Sequence, residues 1–340
     1  MKYRNVGTSD LKLSEIAFGC GGNAGLIVRG DAREQVRIIA RAIELGITYF
    51  DNSPDYGAGI AETNLGRALT ELKANVIVNT KVEIRGENLH DIAGHVVASA
   101  EDSLKRLGRD VIDVFQIHNG PTTKPVKLEG ADYKQLSIND YTRADGAMEG
   151  VRRLLAAGKI RYAGFICRGN DAPDVETMLK SGLFQLINTP YTLLNPSAAK
   201  AQAGMPNLTP NYGGVIDLAQ KHGAGAAVYA PLAGGYLSDQ SVAGDVRHPL
   251  ARQQDPESES ARRNRRKAQA VQFIARDAGI SLAQAAYRFI LDHRGVTTAL
   301  GGFSSMEQLE EISAAADLPP FPADQIAKLS ALWRTNFNLD

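Results

Sequence analysis

Apolar residues recur along the chain in short runs, and each run is followed by a stretch in which they return every three or four positions. The runs are EIAFGC (15–20), ITYFDN (47–52), VIVNTKV (76–82), DVFQIHN (113–119), IRYAGFIC (160–167), LFQLINT (183–189), AAVYAPL (226–232) and TTALGGF (297–303). Between them lie VRIIARAIELG, ETNLGRALTEL, IAGHVVASAEDSLKRLG, MEGVRRLLAAG, VETMLKSG, VIDLAQKHG and the pair AQAVQFIARDAG and LAQAAYRFILDH. Several of these helical stretches close on a glycine, the residue best suited to end a helix. Strands that are mostly apolar on both faces belong in a parallel sheet covered by helices. Eight strand–helix units in sequence predict an α/β fold of the closed (β/α)8 TIM barrel type rather than a doubly wound sheet, with one domain over 1–340.

Two segments stand outside the alternation. MKYRNVGTSDLKLSE reads as two short strands around a GTSD turn, placed to plug the base of the barrel. LPPFPADQIAKLSALW reads as a terminal helix, followed by an aromatic tail in which Trp333 and Phe337 would pack the chain end down. Long inserts follow strand 4 (120–145), strand 6 (192–210) and strand 7 (233–260). All three fall on the C-terminal face of the predicted barrel, the face that bears active sites in this architecture.

Composition narrows the partners. Lys+Arg and Asp+Glu are each 38 of 340 residues, so no overall basic field exists to hold a nucleic acid or a membrane surface. The two cysteines, Cys20 and Cys167, are far apart and join no CxxC or Cys/His pattern, which argues against both a disulfide framework and a metal site. No stretch has signal-peptide or membrane-spanning character. A cytoplasmic protein, monomeric or weakly homo-oligomeric, is expected.

Alternation along the strands brings in candidate chemistry. In ITYFDN, Tyr49 and Asp51 share one face; in VIVNTKV, Asn79 and Lys81 do; in DVFQIHN, Gln116 and His118 do. Neighbouring strands are about 4.8 Å apart, so Asp51, Lys81 and His118 would form a row across roughly 10 Å inside the barrel mouth. Tyr56, on the loop after Asp51, can fold over that row. An ammonium beside a phenol favours the phenolate, so Lys81 is expected to lower the Tyr56 pKa, with Asp51 keeping Lys81 charged. His118 could hydrogen-bond a substrate oxygen or relay a proton. The set holds no good nucleophile and suits proton transfer at an oxygen while a cofactor moves a hydride. Singly, each residue has a plainer reading: a turn or N-cap Asp, a snorkelling Lys, a satisfied core His. Only their co-occurrence on adjacent strands beside Tyr56 turns the balance.

These residues, with the surrounding FDNSPDYGAG–ETNLG, VNTK and VFQIHN, resemble the catalytic tetrad of the aldo-keto reductases in order and in strand placement. The resemblance runs from the N-terminal hairpin to GGFSSMEQLEE at the eighth strand. It implies a barrel that binds an extended nicotinamide dinucleotide, NAD(P)(H), without a Rossmann domain or a metal, in accord with the absence of a GxGxxG after a strand. It further implies Tyr56 as general acid and base, Lys81 and Asp51 as its tuning pair, and His118 as the group that positions a carbonyl. Gln185 would contact the nicotinamide amide, Tyr229 would stack on its ring, and Leu232, Gly234 and Leu237 would cradle the pyrophosphate.

The chain departs from the family pattern twice. Ile166 and Cys167 stand where many members carry a Ser-Asn pair for the carboxamide. Members that prefer the 2′-phosphorylated cofactor often carry Lys or Arg after strand 8; here those positions read Gly302 and Gln308, with Ser304 and Glu311 nearby. A dianionic phosphate then lacks its usual cationic partner, which leans the reading to NAD or dual use, although ARRNRRK (261–267) offers charge from elsewhere. The substrate is a small carbonyl compound or its alcohol. Polar groups at Asn23, Asn119 and Arg168, together with Cys20, admit a sugar-like one. Two rival classes stand beside this reading. One is a non-catalytic, cofactor-sensing subunit on the same barrel. The other is a metal-dependent hydrolase, which would need paired histidines near strand 1 that EIAFGCGGNAG does not offer.

Overall fold

The computed structural model describes residues 1–340 apart from 23–24, 125, 127–133, 169–171, 201–204, 206–207, 209, 245–254, 256 and 340. Asn23 and parts of all three long inserts therefore lie outside the described residues. All eight predicted strands form, at Ile16–Gly19, Tyr49–Asp51, Ile77–Val82, Ile112–Ile117, Ile160–Ile166, Leu186–Pro190, Gly225–Tyr229 and Val296–Gly302. They pair in parallel, each with the next in sequence, and the eighth closes on the first through Ala299 opposite Ile16. The fold is a (β/α)8 barrel.

The helices cover it as the spacing of their apolar residues requires. Ala32–Glu44 is started by Asp31, whose carboxylate accepts from the backbone N–H groups of Arg33 and Glu34 at 2.9 Å, and it buries Ile38, Ile39 and Ala42. Ile92–Leu107 ends at Gly108, whose φ of 62° lies in the left-handed region that glycine adopts without strain. Glu62, in the first turn of Ile60–Leu72, is fully buried; it accepts from Thr80 on the third strand at 2.5 Å and from Arg106 at 2.5 Å. No helix among the described residues is long and apolar enough to cross a membrane.

The N-terminal hairpin, Tyr3–Asn5 against Lys12–Ser14, sits at the N-terminal end of the barrel. Val6, Leu11 and Leu13 are buried there against Ala17, Tyr49, Val114, Leu186, Ala227 and Leu300, so the floor is a closed apolar plug. Arg4 fastens it, donating to Glu15 at 2.7 Å and to the carbonyls of His293 and Val296 at 3.1 and 2.8 Å. The turn at Gly7 approaches Gly223 so closely that a Cβ would lie 1.9 Å from its carbonyl oxygen. The tail docks as expected: Trp333 donates its indole N–H to the carbonyl of Leu193 at 2.8 Å.

The insert after the fourth strand is more ordered than its sequence predicts. Gly120–Thr122 pairs in parallel with Gln135–Ser137, and the helix Ile138–Thr142 follows. The hydroxyl of Tyr141, fully buried, donates to the carbonyl of Asn119 at 2.5 Å.

Candidate active site

The inward row exists. Asp51, the last residue of the second strand, is buried, and its Oδ2 accepts from Lys81 Nζ at 2.8 Å. Lys81 is 1% exposed and also donates to the carbonyl of Asn52. Asp51 Oδ1 accepts from Asn79 at 2.6 Å and from Asn188 at 3.4 Å, while Gln116 accepts from Asn79 at 3.0 Å and donates to Asn188 at 2.8 Å. Carboxylate and ammonium are thus both desolvated, and the surrounding amides make that tolerable. Burial pulls the Lys81 ammonium down, but Asp51 and Tyr56 outweigh it, and Lys81 titrates above the ordinary lysine value.

Tyr56 folds over the row as expected. Lys81 Nζ lies 3.5 Å from its hydroxyl and 5.0 Å from the ring centroid. Three residues after it, Gly57, Ala58 and Gly59, have φ of 64°, 52° and 87°, the turn that bends the loop back to the helix starting at Ile60. The expected acidic phenol is not found. Burial raises the Tyr56 pKa more than Lys81 lowers it, and Asp51 adds to the rise. A neutral phenol held against an ammonium is a proton donor at ordinary pH.

His118 is gripped from both sides. Its Nδ1 lies 2.7 Å from Glu83 Oε1, and its Nε2 lies 2.7 Å from an Nη of Arg168. Ser53 donates to the same Glu83 oxygen at 2.6 Å. Burial would raise the Glu83 carboxyl, but hydrogen bonds from His118 and Ser53 and the charge of Lys81 hold it below the usual carboxylate range. Burial pulls the His118 pKa down to about 4, with Lys81 and Arg168 adding to the effect against Glu83. Sequence reasoning missed Glu83. The signal was present, because Glu83 continues the face of Asn79 and Lys81 by one more step of two.

Above this floor opens a cleft of about 630 Å³ lined by Asp51, Asp55, Tyr56, Lys81, His118, Ile166, Arg168, Asn188 and Tyr229, with Gly19, Gly21, Gly22, Leu232, Gly234 and Gly302 around its rim. A second cavity of about 270 Å³ shares Leu232, Tyr287 and Gly302 with it and reaches Asp239, Gln308 and Glu311. The two adjoin at those shared residues, so their linings make a groove that runs from the tetrad side toward the helix Met306–Ala314 after the eighth strand. After the seventh strand, Ala230, Ala233, Gly234 and Gly235 all have positive φ, between 50° and 94°, in a tight turn closed by its own hydrogen bonds from Ala233 N–H to the carbonyl of Ala230 and from Gly235 N–H to that of Leu232, both at 2.9 Å. A third cavity, of about 220 Å³, shares Ala230 and Gly234 with the cleft and is lined by Asn264 and Lys267 of the ARRNRRK helix. An extended dinucleotide fits the groove: an aromatic face at Tyr229, an amide at Asn188, a glycine-rich turn, then a polar end.

Several predicted contacts need correction. Gln185 precedes the sixth strand at the opposite end of the barrel, where its side chain accepts from Ala163 N–H at 3.1 Å. Asn188, three residues on and inward-facing, is the amide that lines the cleft. Asn119 is fully buried and bridges the backbone N–H and C=O of Ile84 at 2.9 and 2.8 Å, so its amide is committed to the chain itself. Cys20 is 1% exposed and Cys167 is fully buried; burial pushes both thiols up, and Cys167 meets the site through its carbonyl, which accepts from Tyr229 at 3.1 Å. Leu237 is fully buried beneath the glycine turn, donating its N–H to Leu232, while Leu232 and Gly234 line the groove. Ser304 serves Gln308, donating to its side-chain oxygen at 2.9 Å. Glu311 accepts from Ser281 at 2.5 Å at the edge of the second cavity.

Residues 15–334 match the model of the Aldo/keto reductase family. The L-glyceraldehyde 3-phosphate reductase of Escherichia coli K12 is 27% identical, over 97% of this chain and 91% of that protein. A probable voltage-gated potassium channel subunit beta of Oryza sativa is 24% identical, over 96% and 94%. Among solved structures, the holo form of aldo-keto reductase AKR11C1 from Bacillus halodurans superposes with a TM-score of 0.69 at 25% identity, over 98% of this chain and 96% of that one.

Proposed function

The chain belongs to the aldo/keto reductase family, and on that premise we propose that it is a cytoplasmic oxidoreductase, one domain over 1–340, interconverting a small hydroxylated carbonyl compound and its alcohol with a nicotinamide dinucleotide. One observation carries the proposal: Lys81 Nζ, buried, bridges Asp51 at 2.8 Å and the Tyr56 hydroxyl at 3.5 Å on the floor of an open cleft.

The chemistry follows from these groups. When bound, the dinucleotide supplies or accepts the hydride at the substrate carbon. Tyr56 delivers a proton from its hydroxyl to the carbonyl oxygen in reduction. Lys81 stabilises the phenolate left behind, and Asp51 keeps Lys81 charged, so the proton lost from Tyr56 leaves no isolated buried anion. In oxidation the phenolate takes the proton back, and because burial holds the Tyr56 pKa high, that direction should gain as pH rises. Asn188 and Tyr229 would hold the nicotinamide, and the turn at Leu232 and Gly234 the pyrophosphate.

Two carboxylates, Asp239 and Glu311, line the distal cavity, and no Lys or Arg does among the described residues. That lining supports a hydroxyl at the 2′ position over a phosphate, hence a preference for NAD. The polar cleft wall of Asp55, Tyr56, His118 and Arg168 supports a hydroxylated substrate. The relative named L-glyceraldehyde 3-phosphate reductase supports the same class.

The test is absorbance of the reduced nicotinamide with NADH and with NADPH against glyceraldehyde, erythrose, glucose and an unsubstituted aliphatic aldehyde. Tyr56→Phe should lower turnover about 10³-fold while leaving dinucleotide affinity within about twofold. A second reading, a nicotinamide-binding regulatory subunit, draws on the similarity to the rice channel subunit. Tight dinucleotide binding with no turnover across the panel would select it.

A further inference from the structure

The two ring nitrogens of His118 face groups of opposite character, and those groups assign its tautomer. Nδ1 faces Glu83 Oε1 at 2.7 Å, and the partners of Glu83 keep it ionised, so Nδ1 must carry the hydrogen. Nε2 faces a guanidinium nitrogen of Arg168 at 2.7 Å. A guanidinium has donors and no acceptor, so Nε2 must present its lone pair. The imidazole is therefore neutral, hydrogen on Nδ1, and acts as an acceptor toward the cleft. The role that the family resemblance implies for His118, positioning the carbonyl, would need a hydrogen on Nε2 and hence the other tautomer.

Arg168 lines the cleft beside Tyr56 and His118. It follows a fully buried residue, Cys167, at the end of the fifth barrel strand, so its backbone position is anchored by the barrel. Its guanidinium presents five N–H donors in a fixed plane and no acceptor. Resting on the reductase reading, we propose that Arg168 is the catalytic residue that hydrogen-bonds the reacting oxygen, and that Glu83 and His118 are positioning residues that hold its guanidinium in place. The carbon of the carbonyl takes the hydride of the reduced nicotinamide, and its oxygen takes the Tyr56 proton. Arg168 transfers nothing; it stabilises the negative charge that grows on the oxygen between the two events.

The decisive measurement is made on the unmodified full-length chain. Nitrogen-15 NMR of protein labelled at histidine should show His118 Nε2 unprotonated and Nδ1 protonated at pH 7. A protonated Nε2 would overturn the proposal. With glyceraldehyde and NADH, or NADPH if that cofactor is the one used, Arg168→Ala should lose about 10²-fold or more in kcat/KM, and millimolar guanidinium chloride should restore part of the loss. Guanidinium should do nothing for Tyr56→Phe. Arg168→Lys, which retains charge with a different reach, should fall between the parent and the alanine variant and serves if the alanine variant does not fold. Activity of Arg168→Ala within about twofold of an active parent would sink this inference alone. A parent that turns over no member of the glyceraldehyde, erythrose, glucose and aliphatic aldehyde panel with either dinucleotide would sink the reductase reading and the inference together.

Discussion

The floor and the mouth of the barrel are built on the same strands and hold opposite chemistry. At the floor, the inward residues Ala17, Tyr49, Val114, Leu186, Ala227 and Leu300 meet Val6, Leu11 and Leu13 of the hairpin in one apolar cluster. Two residues further along each strand, the inward positions become Gly19, Asp51, Gln116, Asn188, Tyr229 and Gly302. Five of those six line the cleft, and Gln116 is bonded beneath it. Both layers obey one alternation. The difference lies in what burial demands of each: apolar groups need only contact, whereas Asp51, Lys81, Asn79, Gln116 and Asn188 are tolerable only because they bond one another. The floor supplies stability without chemistry, and the mouth holds its chemistry by a network that any one deletion opens.

The largest effect should come from opening that network. Lys81→Met leaves Asp51 buried beside no cation and should cost about 3–5 kcal/mol in urea unfolding, with turnover lost in whatever remains folded. Leu13→Ala at the floor should cost about 2–5 kcal/mol through the cavity it leaves, yet keep kcat/KM of the folded protein within about twofold. A tenfold fall in kcat/KM from Leu13→Ala would mean that floor and mouth are not separable.

Acid should act on the mouth first. His118 titrates near 4 in the folded chain against 6.5 for the free side chain, so between those values the unfolded chain takes up a proton that the folded one refuses. The corresponding stability, up to about 3 kcal/mol, is present in full above pH 6.5 and is lost as pH falls toward 4. Glu83, held below its usual range, adds loss in the same direction at the acid end. Melting temperature measured from pH 7 to 5 should fall more steeply for the parent than for His118→Asn; parallel curves would show that burial of His118 is not the cause. The smallest effect separates the two ends of the sixth strand. Asn188→Ala should weaken NADH binding about tenfold, roughly 1.4 kcal/mol, in a fluorescence titration, while Gln185→Ala should leave it unchanged.

Asp51, Lys81 and His118 were legible because each lies at the end of a run whose alternation is clear, and the order of runs in a barrel puts consecutive ends side by side. Applied consistently, the same rule finds Glu83, two beyond Lys81, and excludes Gln185, which shares its face with the outward Ile187 and Thr189. The resemblance alone points to Gln185, and a match of motif without regard to face falls at the wrong end of the strand. Polarity alone makes Asn119 a candidate substrate contact, but in the folded chain its amide is committed to the backbone of Ile84. The long inserts gave no periodicity to read; the parallel pair at Gly120–Thr122 and Gln135–Ser137 rests on contacts across fifteen residues that no local pattern encodes.

By itself the sequence determined the number and order of the strands, the face each turns inward, and the presence of a phenol, an amine, a carboxylate and an imidazole at one end. Those properties are local, set by side-chain period and by the chain's own connectivity. Only the tertiary structure decided that burial overrides Lys81 in setting the Tyr56 pKa, and that Arg168, fifty residues from His118, takes up the imidazole lone pair. Desolvation and hydrogen bonding depend on what surrounds a group in space, and neighbours that distant in the chain become neighbours only when the barrel closes.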